Sequence, residues 1–251
     1  MEFNAKRVSE EIILWIREWF NENGPDCKAV IGISGGKDST VVAKLCVEAL
    51  GKERVVGVMM PKHIQDDIAD SKRVCKFLDI ESHIVDIGPA YDALRKSVIE
   101  DTDLEDLSVQ ATTNLPPRLR MATLYAVSQS KNGRVANTCN LSETILSWET
   151  RWGDAVGDFA PIVKLTVEEV KAIGHYLGLP SELVDKTPSD GLCGSSDEDK
   201  MGILYKDADN YIRRNIVTEQ VKEKVDSRAN TYRFKRRPIP CYEPGLPCYV
   251  D

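Results

Sequence analysis

Residues 29–40, which read Ala-Val-Ile-Gly-Ile-Ser-Gly-Gly-Lys-Asp-Ser-Thr, decide the fold of this chain. The apolar run from Ala29 to Ile33 predicts a buried strand, and the apolar spacing from Val41 to Leu50 predicts a helix. A strand that turns through Ser-Gly-Gly into a helix forms a cradle for anions. Glycine lets the backbone approach a ligand closely, and the first helical N–H groups point at that ligand. The stretch therefore predicts a phosphate site on an α/β fold.

The side chains of this loop extend the prediction to a metal ion. Ser34 and Ser39 add hydroxyl donors, and Lys37 adds a positive charge. Asp38 is a carboxylate beside a phosphate site, and the two repel each other unless a divalent cation bridges them. We therefore expect phosphate together with Mg²⁺. The alternative is a turn that only caps the helix.

Two common phosphate motifs do not fit this loop. A Walker A loop needs glycine where Ile31 stands, and the dinucleotide fingerprint needs glycine where Lys37 stands. The string Ser-Gly-Gly-Lys-Asp-Ser instead resembles the PP-loop of the ATP pyrophosphatases, which split ATP between its α and β phosphates.

Composition restricts the class of protein. The chain has 251 residues, of which 42% are hydrophobic and 29% are charged, so we expect one soluble domain over residues 1–251. Its net charge of −7 argues against a nucleic-acid partner, and no segment is long and apolar enough to suggest a membrane span. Seven scattered cysteines without a Cys-x-x-Cys pair, and an N-terminus without a signal-peptide pattern, indicate a cytoplasmic protein with reduced thiols.

Strand and helix patterns alternate along the chain. This alternation predicts a doubly wound, mostly parallel sheet flanked by helices, with ligands at the carboxyl ends of the strands. We expect irregular structure at 141–165, a polar loop at 187–204 and an irregular tail at 238–251. The predicted strands are 28–33, 55–60, 82–87 and 134–137, and the main predicted helices are 6–22, 41–50, 66–78, 115–129, 167–177 and 207–229.

A second polar segment follows a predicted strand, as the first loop does. Residues 137–143 read Asn-Thr-Cys-Asn-Leu-Ser-Glu. Two loops at strand ends would meet across the top of the sheet, where Asp38 and Glu143 could share one Mg²⁺. The other interpretation is a helix capping box formed by Asn140 and Glu143.

Three further segments each allow two interpretations. Residues 151–158 combine an arginine and two aspartates with glycines, which fits ribose binding or a solvated turn. Residues 187–199 fit a functional lid or a surface loop. The basic run at 233–238 fits a phosphate contact or a solvated strip.

Taken together, these segments resemble the ammonia-dependent NAD⁺ synthetases along almost the whole chain. The matching segments are 32–39, 117–121, 137–143, 152–158, 188–192 and 196–199. The resemblance implies an adenine nucleotide alpha hydrolase-like fold and a homodimer. It also implies a two-step reaction in which deamido-NAD⁺ is adenylated by ATP and ammonia then displaces AMP.

The resemblance also implies roles for individual residues. Asp38 and Lys37 would act in catalysis, and Asp38 and Glu143 would hold Mg²⁺. The deamido-NAD⁺ contacts would be Arg118, Arg151, Asp158 and Lys235. The ATP contacts would be Gly32, Ile33, Ser34, Gly35, Gly36, Lys37, Asp38, Ser39, Thr138 and Ser189.

Three positions depart from the family pattern. Val167 stands where the family usually has lysine, and we hypothesise that Lys164 takes that role. Phe234 replaces a histidine before Lys235, so stacking would replace a hydrogen bond. Residues 115–117, Leu-Pro-Pro, replace a basic approach to Arg118 and leave the start of that helix open.

Two alternatives remain for the function. Another PP-loop amidating ligase, such as the synthetase part of GMP synthetase, would share the first loop but lack the later segments. A non-catalytic nucleotide-binding module would have no use for Asp38 and Glu143. Because the synthetase pattern uses the whole chain, we expect free ammonia as the nitrogen donor rather than glutamine, unless a separate glutaminase delivers it.

Overall fold

The computed structural model describes residues 3–64, 68–186, 197–242 and 245, and the sheet within these residues is parallel throughout. Its strands are β1 (Lys28–Gly32), β2 (Val55–Met59), β3 (Glu81–Ile84) and β4 (Gly133–Val135). They lie in the order β3-β2-β1-β4, so β1 has a partner on each side. In the register, Ala29 of β1 lies beside Val55 and Arg134.

Helices connect the strands and cover both faces of the sheet, which confirms the predicted doubly wound α/β fold. Within the described residues, none of these helices combines the length and the apolar character that a membrane span requires. In chain order the helices are α1 (Ala5–Asn23), α2 (Lys37–Leu50), α3 (Ile68–Leu78), α4 (Gly88–Asp101), α5 (Val109–Ser130), α6 (Leu141–Leu146), α7 (Val167–Tyr176), α8 (Ser181–Val184), α9 (Asp197–Met201), α10 (Tyr205–Arg214) and α11 (Glu219–Thr231).

Side chains of β1 alternate between two apolar clusters, one on each face of the sheet. Ala29 and Ile31 belong to the large cluster that includes buried residues of α1, α2 and α7. Val30 points the other way and joins Val56 with Leu124 of α5. Such alternation is the period-two geometry of a strand, and burial on both faces explains the continuous apolar run in the sequence.

Three aromatic side chains, two from α1 and one from the segment after α6, pack together in the large cluster. The rings of Trp19 and Phe159 are stacked with centroids 5.0 Å apart, and Phe20 meets Phe159 edge to face at 5.2 Å. Phe159 lies beside the sheet, since its neighbour Ala136 bridges to it in parallel fashion. This group therefore ties α1 to the segment that follows α6.

Helix α5 corrects the prediction of a helix over 115–129. It begins at Val109, where the side chain of Ser108 accepts a hydrogen bond from the amide of Ala111. Pro116 and Pro117 therefore lie inside the helix rather than at its start. A proline inside a helix removes a hydrogen bond, but Pro116 is buried here, and its packing offsets part of that cost.

The region after residue 141 holds more helices than predicted. Helix α6 lies in the segment expected to be irregular, and α9 lies in the described part of the expected polar loop. The predicted helix 207–229 is two helices, because Asn215 adopts a left-handed conformation and Thr218 caps α11. Residues 238–242 contain no helix or strand, and most of the remaining tail lies outside the described residues.

We predict that Phe20→Ala lowers the free energy of unfolding by about 3–5 kcal/mol, because the ring is fully buried and its removal leaves a cavity. Urea denaturation followed by circular dichroism measures the change. Phe77→Ala is the matched control, since Phe77 is 48% exposed and its loss should cost less than about 1 kcal/mol. Equal losses in the two variants would contradict this account of the core.

Candidate active site

The loop between β1 and α2, residues 32–39, is called the phosphate loop below. Gly35 has a φ of 77°, a conformation that L side chains rarely adopt. A Cβ atom at this position would lie 2.8 Å from the Cβ atom of Asp70 and from the amide nitrogen of Ser71. Glycine is therefore required here both by the backbone conformation and by the close approach of α3.

Hydroxyl groups of Ser34 and Ser39 form hydrogen bonds within the phosphate loop at the start of α2. The amide of Gly36 donates to Ser34 Oγ at 3.2 Å, and Ser39 Oγ donates to the carbonyl of Gly36 at 3.2 Å. Within the described residues, no side chain caps α2 at Gly36. The first amides of this helix are therefore available to an anion.

Lys37 is a buried cation inside this loop. It is 3% exposed, and its Nζ lies 2.8 Å from Asp38 Oδ2. Burial acts to lower the pKa of Lys37, but attraction to Asp38 and Glu143 outweighs burial, and the pKa is raised. The ammonium group is therefore charged where phosphate oxygens would lie.

Asn140 joins the phosphate loop to the segment after β4. Its side-chain Nδ2 donates to Asp38 Oδ1 at 3.1 Å. Its Oδ1 accepts from the amide of Glu143 at 3.0 Å, and its own amide donates to Glu143 Oε2 at 3.2 Å. The capping box is present, and it holds Glu143 on the same residue that contacts Asp38. The two interpretations of this segment are therefore compatible.

The donor set fits a magnesium ion shared with phosphate. Burial raises the pKa of Glu143 to about 8, and the negative charge of Asp38 adds to the shift. Two carboxylates whose negative charges act on each other favour a cation between them. Within the described residues no three His, Cys, Asp or Glu side chains converge, and Mg²⁺ is commonly held by one or two carboxylates together with phosphates and waters.

One cavity of about 440 Å³ connects these groups. Its walls include the phosphate loop except Gly35, which faces α3 instead. Thr138 and Glu143 line it from the β4 side, and residues of the segment 148–156, of α5 and of the segment after β2 line other parts of the wall. The volume lies within the usual range for small-molecule sites. The carboxyl ends of β1 and β4 therefore share a single binding space, as predicted.

Three of the four residues predicted to contact deamido-NAD⁺ lie close together. Arg118 Nε donates to the carbonyl of Arg151, and Lys235 Nζ donates to the carbonyls of Ser147 and Glu149 at 2.9 Å each. The Arg151 guanidinium lies over the Phe234 ring, 5.6 Å from its centroid. Arg118, Arg151 and Lys235 are called the basic cluster below.

Asp158 forms hydrogen bonds at the edge of the sheet in this structure. Its Oδ2 accepts from the amide of Val135 at 2.7 Å, and its Oδ1 accepts from the hydroxyl of Tyr125 at 3.2 Å. The bond from Val135 satisfies an amide at the outer edge of β4, which has no further strand beside it in the described residues. Ser189, predicted to contact ATP, lies outside the described residues.

The structure gives no support to the hypothesis about Lys164. Its side chain is exposed and does not line the cavity, while Val167 is buried in the apolar cluster with Leu146. Besides Lys37 and Arg120, the cavity is lined by Lys186, whose Nζ lies 2.7 Å from Asp70 Oδ2 beside the phosphate loop.

Sequence reasoning missed Lys186 and a second wall residue, Glu149. Lys186 directly precedes a segment interpreted only as a loop. Glu149 lies between two segments of interest, 137–143 and 151–158, and carries no periodic pattern. A local pattern cannot distinguish such residues from solvent-exposed charges, although Glu149 is only 5% exposed.

Comparison with known proteins gives consistent matches. The NAD synthase family model matches residues 8–239. The NH₃-dependent NAD⁺ synthetase of Thermococcus sibiricus is 38% identical over 226 residues, which cover 89% of this chain and 86% of that protein. The enzyme of the same name from Pyrococcus horikoshii is 40% identical over 220 residues, covering 87% and 82%.

Two solved structures cover nearly the whole fold. The NMN synthetase from Francisella tularensis has a TM-score of 0.87 and 31% identity, and the match covers 98% of this chain and 100% of that one. The NH₃-dependent NAD synthetase from Campylobacter jejuni has a TM-score of 0.76 and 27% identity, with coverage of 96% and 100%.

We predict that Gly35→Ala lowers the affinity for ATP about tenfold or more, because relief of about 1–3 kcal/mol of backbone strain would distort the phosphate loop. Isothermal titration calorimetry measures the affinity. Gly178→Ala is the control: Gly178 also has a positive φ, of 72°, but a Cβ there would meet nothing within 4 Å, and the residue lies outside the cavity. Unchanged ATP affinity in Gly35→Ala would contradict the proposed role of this loop.

Proposed function

This chain belongs to the NAD synthase family, and from that premise we propose how its cavity amidates deamido-NAD⁺ with ATP and ammonia. The protein is a ligase of NAD biosynthesis. The observation that carries the proposed mechanism is the contact of Asn140 with both Asp38 and Glu143 on the wall that contains the phosphate loop.

In the first step, the nicotinate carboxylate attacks the α-phosphate of ATP and pyrophosphate leaves. The phosphate loop binds the phosphates through the amides of α2, the hydroxyls of Ser34 and Ser39, and the charge of Lys37. Thr138 and Ser189 contact the rest of ATP. Asp38 and Glu143 would hold a Mg²⁺ ion that, when bound, offsets the charge of the phosphate oxygens. Positioning and charge neutralisation, rather than a covalent nucleophile, drive this step.

In the second step, ammonia attacks the activated carbonyl carbon and AMP leaves. The basic cluster holds the phosphates of the dinucleotide, because arginine forms paired hydrogen bonds with phosphate oxygens. Burial lowers the pKa of Lys235 and outweighs the attraction of Glu149 and Asp154, while the charges of Arg228 and Arg118 add to the lowering, so a bound anion would stabilise the charged form of Lys235. Asp158 is exposed and contacts the same substrate, while its bonds to Val135 and Tyr125 fix its position.

We also propose that the enzyme is a cytoplasmic homodimer. Apolar side chains of Leu94, Leu104 and Val109 around α4 and α5 are 42–84% exposed, which supports a protein partner on that surface. The cysteines of the described residues are free thiols, in keeping with a reducing compartment. Light scattering distinguishes the dimer from a monomer.

A second candidate substrate is nicotinate mononucleotide. The match to the NMN synthetase from Francisella tularensis has a TM-score of 0.87, against 0.76 for the Campylobacter jejuni NAD synthetase. Amidation that yields NMN would proceed through the same adenylate chemistry on a substrate without the adenosine half. The two candidates differ only in the part of the substrate that lies beyond the nicotinate nucleotide.

We predict that deamido-NAD⁺ is amidated with a higher kcat/KM than nicotinate mononucleotide, with one AMP and one pyrophosphate released per product. Chromatography of parallel reactions with ATP, Mg²⁺ and ammonium measures both substrates. A preference for the mononucleotide would establish the second candidate instead. Release of ADP in place of AMP would contradict both.

We predict that Asp38→Asn lowers kcat by about 10²-fold or more, because the neutral amide cannot neutralise a metal ion beside the phosphates. Steady-state kinetics across a series of Mg²⁺ concentrations measures the effect. The variant should need more Mg²⁺ for half-maximal rate, whereas a role limited to loop folding would leave that concentration unchanged. Asp92→Asn, on exposed α4, is the control.

A further inference from the structure

Glu149 is a buried carboxylate on the cavity wall that the mechanism above does not use. It is 5% exposed and lines the same cavity as Asp38 and Glu143. Its Oε2 atom accepts no hydrogen bond from any residue in the described ranges. Leaving a buried carboxylate oxygen without a donor is costly, so such an atom in a binding cavity indicates a ligand that donates to it.

The neighbouring cations of the protein do not fill this role. Lys235 donates to the backbone carbonyls of Ser147 and Glu149 rather than to the Glu149 carboxylate. Arg236 donates to the carbonyls of Ile145 and Ala229. Both cations reduce the charge near Glu149 without satisfying its Oε2 atom.

The charge of the reactants narrows the choice of ligand. ATP and deamido-NAD⁺ are anionic, so a carboxylate repels their phosphates and the nicotinate carboxylate. Mg²⁺ already has its donors at Asp38 and Glu143. Ammonium is the remaining reactant, and it is a small cation with N–H donors.

We propose that Glu149 binds the ammonium ion and accepts a proton from it before the second step. This inference rests on the proposed function. The Glu149 carboxylate takes one proton and leaves neutral NH₃. The nitrogen lone pair then forms the C–N bond at the carbonyl carbon, and the bond from that carbon to the AMP oxygen breaks with its electron pair on AMP. The nitrogen loses a second proton to solvent, and Glu149 releases its own proton to solvent afterwards.

The environment of Glu149 suits a group that binds a cation and exchanges a proton near neutrality. Burial raises the pKa of Glu149 to about 7, and the charge of Asp154 acts in the same direction. A hydrogen bond from its own amide and the charges of Lys235 and Arg236 act in the opposite direction. A carboxyl group with such a pKa is a better proton acceptor than an exposed glutamate.

The test separates the two steps of the reaction in the full-length protein. Glu149→Gln keeps the shape of the side chain and removes its charge. We expect the KM for ammonium to rise about tenfold to a hundredfold, because a charge-assisted hydrogen bond is lost. The exchange of labelled pyrophosphate into ATP with deamido-NAD⁺, which reports the first step alone, should stay within about twofold of the wild type. Glu149→Asp keeps the charge and should recover part of the ammonium affinity.

Hydroxylamine supplies a second readout that a structural role would not change. It is a neutral nucleophile near neutral pH and needs no proton acceptor before attack. Hydroxamate formation by Glu149→Gln should therefore remain close to the wild-type rate, while amide formation from ammonium falls. Glu223→Gln, exposed on α11, is the matched control and should change neither rate.

Each contrary outcome has a distinct meaning. An unchanged KM for ammonium in Glu149→Gln overturns the inference. A rise in the KM for deamido-NAD⁺ instead also overturns it, because Glu149 would then bind the nucleotide. Loss of pyrophosphate exchange in Glu149→Gln overturns it in favour of a role in the first step or in folding. Absence of exchange in the wild-type protein contradicts the proposed function itself.

Discussion

The side chain of Asn140 is the contact on which the organisation of the active site depends. It is fully buried, and it joins Asp38 at the start of α2 to Glu143 after the end of β4. The side-chain amide of Asn140 thus donates to the Asp38 carboxylate on the phosphate loop, and its oxygen caps α6 after β4. Since both loops follow parallel strands that are neighbours in the sheet, the position of Asn140 sets how the two halves of the site meet.

Charged groups of both signs surround this contact, as the proposed reaction requires. The phosphate loop presents amides and a buried Lys37 to the cavity, whereas the residues of the basic cluster are not among those that line it. The carboxylates of Asp38 and Glu143 line the same cavity, where like charge alone would be unfavourable. Such an arrangement is stable and useful when anionic substrates and a divalent cation bind together.

The success of sequence reasoning depended on whether the controlling interaction was local. The capping box at Asn140 and the turn at Gly35 are local, and both were visible in the sequence. Helix α5 was predicted too short because Pro116 and Pro117 normally mark a helix start, whereas burial of Pro116 stabilises them inside the helix. The break at Asn215 comes from its left-handed conformation, and the sequence prediction of one helix over 207–229 did not include it.

The sequence by itself determined the phosphate loop, because a strand, a glycine turn and a helix start lie within twelve consecutive residues and their chemistry depends on neighbours in the chain. It also determined the alternation that produces the parallel sheet. The tertiary structure alone decided that Lys164 points to solvent and that Glu149 lines the cavity, since burial depends on residues distant in the chain. Asn140 and Asp38 are 102 residues apart, and only folding of the sheet between them creates their contact.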